Sequence, residues 1–200
     1  MKIGIGAGGT TLAEHIASIQ KAEADGFASV WMPNIFGFDA IMTLALAGAA
    51  TSTIELGTFV VPTYPRHPTA MAQQGLTAAA ATNGRFTLGI GLSHKLVIED
   101  MFGLDYSRPI RHMREYLSVL IPALDRQPIR FHGEEYRVAA QFDVPIDRRP
   151  PVIVAALGPP DAQDRGPPGR WHRNLDGRPE VPGKDRRPDH HEFRKGSRPA

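Results

Sequence analysis

The chain has 200 residues, with 23 Lys+Arg against 21 Asp+Glu for a formal net charge of +2, and no cysteine. The lack of thiols excludes a disulfide framework, a zinc ribbon and a cysteine nucleophile, and the length suits a domain with a buried core. The charge is unevenly spread: residues 1–158 carry 13 basic against 14 acidic side chains, whereas residues 159–200 carry 10 against 7 together with 8 of the 18 prolines.

In chain order, Lys2–Gly6 reads as a short strand, without the long apolar stretch and small-residue cleavage site of a secretory signal. Thr11 and Glu14 have the spacing of a capping box; Leu12, Ile16 and Ile19 follow at helical intervals, and Asp25-Gly26 supplies a stop. Ser29–Met32 is a buried-type strand, followed by an Ala- and Leu-rich helix over roughly 39–50. That apolar run is too short to span a bilayer, so the expectation is a cytoplasmic protein with no membrane partner. Ile54–Val61 predicts one β-branched strand, and Pro68 opens a helix that ends at Asn83-Gly84. Phe86–Gly91 is the next strand. Pro109 then opens a helix striped by Ile110, Met113, Leu117, Leu120 and Leu124, and His132–Val138 suits a hairpin turning at Gly133. Val152–Ala155 is a fifth core-type strand. Strands alternating with helices predict an α/β fold with a parallel sheet, doubly wound or a (β/α)8 barrel, with residues 91–152 decorating one connection.

Gly4, Gly6 and Gly9 match the pattern G-x-G-x-x-G, which in a dinucleotide fold lets backbone amides approach a pyrophosphate. The context argues against it. The strand before Gly4 would be only three residues long, and Met32-Pro33-Asn34 stands where an acid should end the second strand. A Rossmann-type NAD(P) enzyme is therefore the rival reading.

Three ordered segments are more specific: Ala24-Asp-Gly-Phe-Ala-Ser-Val-Trp31 running into Met-Pro-Asn34, Ile54-Glu-Leu-Gly-Thr-Phe-Val-Val-Pro-Thr63, and Asn83-Gly-Arg-Phe-Thr-Leu-Gly-Ile-Gly91. With Phe102-Gly-Leu, Arg108-Pro109 and Arg114-Glu-Tyr-Leu117, they resemble the luciferase-like monooxygenase family, especially its coenzyme F-420-dependent oxidoreductase branch. The resemblance implies a (β/α)8 TIM barrel over residues 1–158, about five βα units of it. It further implies coenzyme F-420, or alternatively FMN, at the C-terminal mouth, and a small-molecule substrate. It also implies a non-proline cis peptide at Phe59-Val60 behind the cofactor ring, and a ring contact at Asn34.

Barrel enzymes build their sites on the loops that follow the strands. Those loops hold Pro33 and Asn34; Val61, Pro62, Thr63, Arg66 and His67; and Ser93, His94 and Lys95. The cofactor-binding set is Asn34, Phe59, Val60, Pro62, Thr63, Ser93 and His94. Beside these readings stand plainer ones: Asn34 or Ser93 as a helix cap, His67 as a loop residue, Arg66 as a solvated cation, His15 and His112 as surface or structural groups. The body shows no Ser-His-Asp or metal-ligand spacing. The catalytic acid or base is left unassigned, with His94 the nearest candidate because an imidazole can serve as either.

From residue 159 the sequence turns to Arg, Pro, Gly, Asp and His without helical or strand period. A basic nucleic-acid-binding arm and a metal site at His190-His191-Glu192 are weak readings, because acids interrupt the bases and adjacent histidines lack a third ligand; no nucleic-acid partner is expected. Permitted codons for Pro160–Glu192, read one base later, give a helix, a glycine stop and a strand. The expectation is thus a frameshift near residues 159–160, followed by a disordered, out-of-frame tail. An incomplete barrel would expose sheet edges that invite self-association or aggregation and would leave the chain a non-catalytic fragment.

Overall fold

The computed structural model describes residues 2–155. The expectations for residues 159–200, with His190-His191-Glu192 among them, lie outside the described residues.

The described chain runs β1 (Gly4–Gly6), α1 (Leu12–Ala24), β2 (Ser29–Met32), α2 (Ala40–Ala49), β3 (Glu55–Thr58), β4 (Val61–Pro62), α3 (Pro68–Ala81) and β5 (Phe86–Gly91). A π-helical turn (Val97–Met101), α4 (Pro109–Leu124), the strands β6 (Ile129–His132) and β7 (Arg137–Ala140), and β8 (Val152–Ala155) follow. The Thr11–Glu14 capping box forms as the spacing requires, with the Thr11 hydroxyl accepting the Glu14 amide at 3.2 Å and the Glu14 carboxylate accepting the Thr11 amide at 3.2 Å.

All pairings in the main sheet are parallel, in the order β1-β2-β3-β5, with β4 and β8 also pairing with β5. This sequential order places β1 at an edge. A Rossmann sheet would have its first strand at the centre, so the dinucleotide reading fails on topology. Gly4 and Gly6 lie within β1, and a Cβ on Gly4 would strike Ser29 and the Trp31 indole. Gly4 makes room for Ser29 and Trp31, not for a pyrophosphate.

The single strand expected over Ile54–Val61 is broken. Gly57 pairs with Thr87 and Val61 pairs with Ile90, so three residues, Thr58–Val60, face only two, Leu88 and Gly89. That is a β-bulge. It allows Leu56 and Val61, five positions apart, both to be buried against the helices. The Thr58 hydroxyl closes the gap, accepting the Gly89 amide and donating to the Gly89 carbonyl, both at 2.8 Å. A Cβ on Gly89 would collide with the Thr58 carbonyl.

The core lies on the outer, helix-covered face: Val30, Met32, Leu56, Phe86, Leu88 and Ile90 from the strands meet Ile19, Leu44, Met71 and Leu76 from α1–α3. The region after β5 is more than a decoration. Met113, Tyr116, Leu117, Leu120 and Leu124 of α4 enter the same core, and the antiparallel β6–β7 hairpin is tied to α4 by Glu115, which accepts the amides of Glu134, Glu135 and Tyr136 at 2.8–3.1 Å. Among the described residues no helix is long and apolar enough to cross a membrane.

Candidate functional site at the strand ends

The loops after β2, β4 and β5 leave from the C-terminal ends of parallel strands, where such sheets place their chemistry. The loop after β2 begins with exposed Pro33 and half-buried Asn34. The Asn34 side-chain oxygen accepts the Ala40 amide at 3.0 Å, while Asp39 accepts the Met42 amide at 2.9 Å, so both side chains satisfy free amides at the start of α2. Arg66, a candidate for phosphate, is instead ion-paired with that same Asp39.

The Phe59–Val60 peptide bond is cis, at the position the resemblance implies. Phe59 is 65% exposed, and the Val60 methyls cover Gly89 and Gly91 on the inner face of the sheet. Pro62 is half-buried in β4. Thr63 is fully buried; its amide donates to the Gly91 carbonyl at 2.9 Å, and its hydroxyl lies 3.0 Å from His112 Nε2. His67 caps α3: its Nδ1 accepts the Thr69 amide at 3.3 Å and lies 2.7 Å from the Thr69 hydroxyl.

Beyond β5, Ser93 sits at φ +65°, a left-handed conformation unusual for a side chain other than glycine or asparagine. It caps no helix; its carbonyl accepts the Tyr106 hydroxyl at 3.2 Å. His94 is exposed, and its carbonyl accepts the amides of Val97 and Ile98, both at 3.0 Å, to start the π-helical turn. Lys95 lies 3.7 Å from Glu99. Exposed Ile35, Phe36, Phe102 and Leu104 form an apolar rim, with the Phe36 and Phe102 rings 6.0 Å apart.

Sequence reasoning missed the cluster behind this mouth. His112, expected at the surface or in a structural role, is 5% exposed and stacks on Tyr64 with centroids 3.8 Å and planes 3° apart. Tyr64 stacks on Tyr106, and Tyr116 and Tyr136 close the cluster from α4 and the hairpin. Burial lowers the His112 pKa to about 4, only partly offset by Glu115, and burial also pushes the phenols of Tyr64, Tyr116 and Tyr136 up, so these groups are neutral near pH 7. The available signal was the four-residue spacing of His112 and Tyr116, beside the apolar stripe.

The arrangement offers an apolar floor of Trp31, Pro33, Phe59 and Ile153 beside Gly4 and Gly6. Among the described residues no group of three or more His, Asp or Glu could hold a metal ion.

The profile of the luciferase-like monooxygenase family matches residues 2–166. An F-420-dependent hydroxymycolic acid dehydrogenase of Mycobacterium tuberculosis is 32% identical over 165 residues, covering 74% of this chain and 44% of its own length. Among solved structures, the coenzyme F-420-dependent tetrahydromethanopterin reductase from Methanopyrus kandleri superposes with a TM-score of 0.68 at 23% identity, over 78% of this chain and 50% of that one. The FMN-bound oxygenating constituent of 3,6-diketocamphane monooxygenase from Pseudomonas putida gives a TM-score of 0.68 at 17% identity, over 77% and 51%. The shared fold is the parallel α/β sheet of these barrels. The chain spans 36–48% of the length of the curated relatives it matches.

Proposed function

Because the chain belongs to the luciferase-like monooxygenase family, we propose that it carries part of the site of an oxidoreductase acting on a small-molecule substrate with coenzyme F-420, or alternatively FMN. The observation that carries this reading is the ordered family match across all the described strands. The named relative and one solved neighbour use F-420, and a second neighbour binds FMN. A cytoplasmic setting belongs to the same reading.

A flat tricyclic ring needs one broad apolar face and polar backbone groups along an edge. Trp31, Pro33 and Phe59 with the glycines of β1 fit the first need, and the turns at Asn34 and Ser93 fit the second. When bound, the ring supplies the redox chemistry of hydride transfer or oxygen insertion. The chain's own residues bind and orient. Phe59 and Val60 would back the ring, Pro62 and Thr63 hold the loop that carries them, and Asn34, Ser93 and His94 would border its polar edge. The exposed apolar side chains of Ile35, Phe36 and Phe102 would shield a bound ring from water.

Titration of F-420 and FMN against the full chain, and against a version with the reading frame restored after residue 158, tests this. Saturable binding of F-420 is the expected result. Failure of both chains to bind either cofactor would refute the assignment. Salt-dependent nucleic-acid binding lost on deleting residues 159–200 would favour a binding module.

A further inference from the structure

Three segments distant in sequence meet behind the mouth. The His112 ring, on α4, lies flat on Tyr64 from the loop after β4, and Tyr64 stacks on Tyr106 at 5.1 Å with planes 29° apart. Tyr106 reaches past it to donate to the carbonyl of left-handed Ser93 at 3.2 Å. His112 Nε2 is 3.0 Å from the Thr63 hydroxyl, and its Nδ1 is 3.4 Å from the Tyr136 hydroxyl.

The buried groups decide the tautomer. Thr63 has no exposure, and its hydroxyl is hydrogen-bonded to His112. With the Thr63 proton donated to Nε2 and the Nδ1 proton donated to the half-buried Tyr136 oxygen, no buried donor on Thr63 or His112 is idle. The opposite tautomer would leave the Thr63 proton without an acceptor in a dry site. Core packing alone does not call for this ring, since a leucine would fill the volume without the cost of burying an imidazole.

We propose that His112 is a positioning residue, which fixes Thr63 by a hydrogen bond and fixes the turn at Ser93 through the Tyr64–Tyr106 stack, so that the loops after β4 and β5 keep one geometry. The functional importance of that geometry rests on the reading of these loops as cofactor-facing. The role assigned to residues 97–140 changes accordingly: α4 and the hairpin brace the mouth from behind.

The test uses the full chain and a cycle of variants. His112→Phe keeps the stacked ring and removes both hydrogen bonds; Thr63→Val removes the same bond from the other side; Thr63→Ser keeps it. Amide hydrogen exchange is read without cofactor, and the F-420 dissociation constant is read by titration. His112→Phe and Thr63→Val should each speed exchange at the Thr63 amide and weaken F-420 binding by about tenfold, the scale of one lost hydrogen bond. The double variant should be no worse than either single one, because a shared interaction is lost only once. Thr63→Ser keeps the hydrogen bond and should restore most of the Thr63 amide protection lost in Thr63→Val, and amides in α1 and β2 should not change.

Additive effects, or exchange that rises equally everywhere, would overturn the positioning role and leave only packing. Exchange unmoved at Thr63 in both variants would overturn it too. The expected exchange pattern in the variants, with neither F-420 nor FMN bound by the full or the frame-restored chain, would refute the proposed function while supporting the brace.

Discussion

Glu23 sits on α1, away from the mouth, yet it makes one of the densest polar contacts in the chain. Its Oε1 accepts the amides of Ser52, Thr53 and Ile54 at 2.6–3.0 Å and the Thr53 hydroxyl at 2.9 Å. On the other side, the Arg85 guanidinium donates to the carbonyls of Gly48, Thr51 and Ile54 at 2.8–2.9 Å. Together they clamp the turn from α2 into β3. The Thr53 amide above all, then those of Ile54 and Ser52, hold the Glu23 pKa at about 2 against the opposing effect of burial. A carboxylate with a depressed folded pKa stabilises fully above its unfolded value and loses that contribution as pH falls through its folded one. The urea midpoint of the wild type should therefore fall between about pH 4.5 and pH 2 through this group. Glu23→Gln should lower the midpoint at pH 7 and flatten the profile within that window; identical profiles would refute the clamp. His112 gives the opposite chemistry with the same sign. Its neutral form is favoured by folding, so its contribution is complete above the unfolded value near 6.5 and declines as pH falls toward about 4. His112→Phe should remove that decline from the urea midpoints measured between pH 6.5 and pH 4.

At the scale of elements, the decisive contact is the close parallel approach of β3 and β5. Gly89 lies where the Thr58 carbonyl approaches, and a Cβ there would strike that backbone oxygen, which cannot swing aside as the end of a side chain would. Gly89→Ala should destabilise by about 3 kcal/mol, the upper range for overpacking, as read from denaturant unfolding. A change below about 1 kcal/mol would show that the strands can part. The element spans were legible because buried parallel strands are short apolar runs and the helices carry their own start and stop residues: Thr11 and Glu14, Asp25-Gly26, Pro68, Asn83-Gly84 and Pro109. The bulge at Thr58–Val60 was not legible from local composition, because its register is set by strand β5, some 30 residues further along the chain. The mouth was legible as a set of loops, and the cis peptide through the family resemblance. Individual roles were less so. Asn34, Arg66 and His67 have chemistry suited to a ligand, but helix starts and Asp39 take up their hydrogen bonds and charge. His112 was obscured because its partners, Thr63, Tyr64 and Tyr136, come from other elements.

Across the molecule, one face of the sheet is covered by helices and the other is lined by Gly4, Gly6, Gly57 and Gly89, with Trp31 lying over Gly4 and Gly57. Among the described residues β1 and β8 each pair on one side only, and Ile153 and Val154 of β8 are 41% and 39% exposed. Open apolar edges of this kind promote strand pairing between chains. The full chain should therefore show concentration-dependent self-association in light scattering, and a chain with the frame restored after residue 158 should not. Equal behaviour of the two would refute the link between edge and association. Sequencing the gene tests the frameshift separately: the absence of any single-base change that opens a long family-like frame would remove it.

The bulge carries a further consequence, one of parity. Side chains alternate between the faces of a strand with period two. Three residues opposite two let Leu56 and Val61 share the helix-covered face and bring Thr63 under His112. Deleting one residue from Thr58–Val60 would restore one-to-one pairing with Leu88 and Gly89 and keep Val61 opposite Ile90, so Leu56, Val61 and Thr63 would keep their face. Deleting two would leave one residue opposite two, turn Val61 and Thr63 toward the inner face and present Pro62 to the core. A single deletion in this segment is therefore tolerated by the sheet and a double one opposed, whichever side chains are chosen.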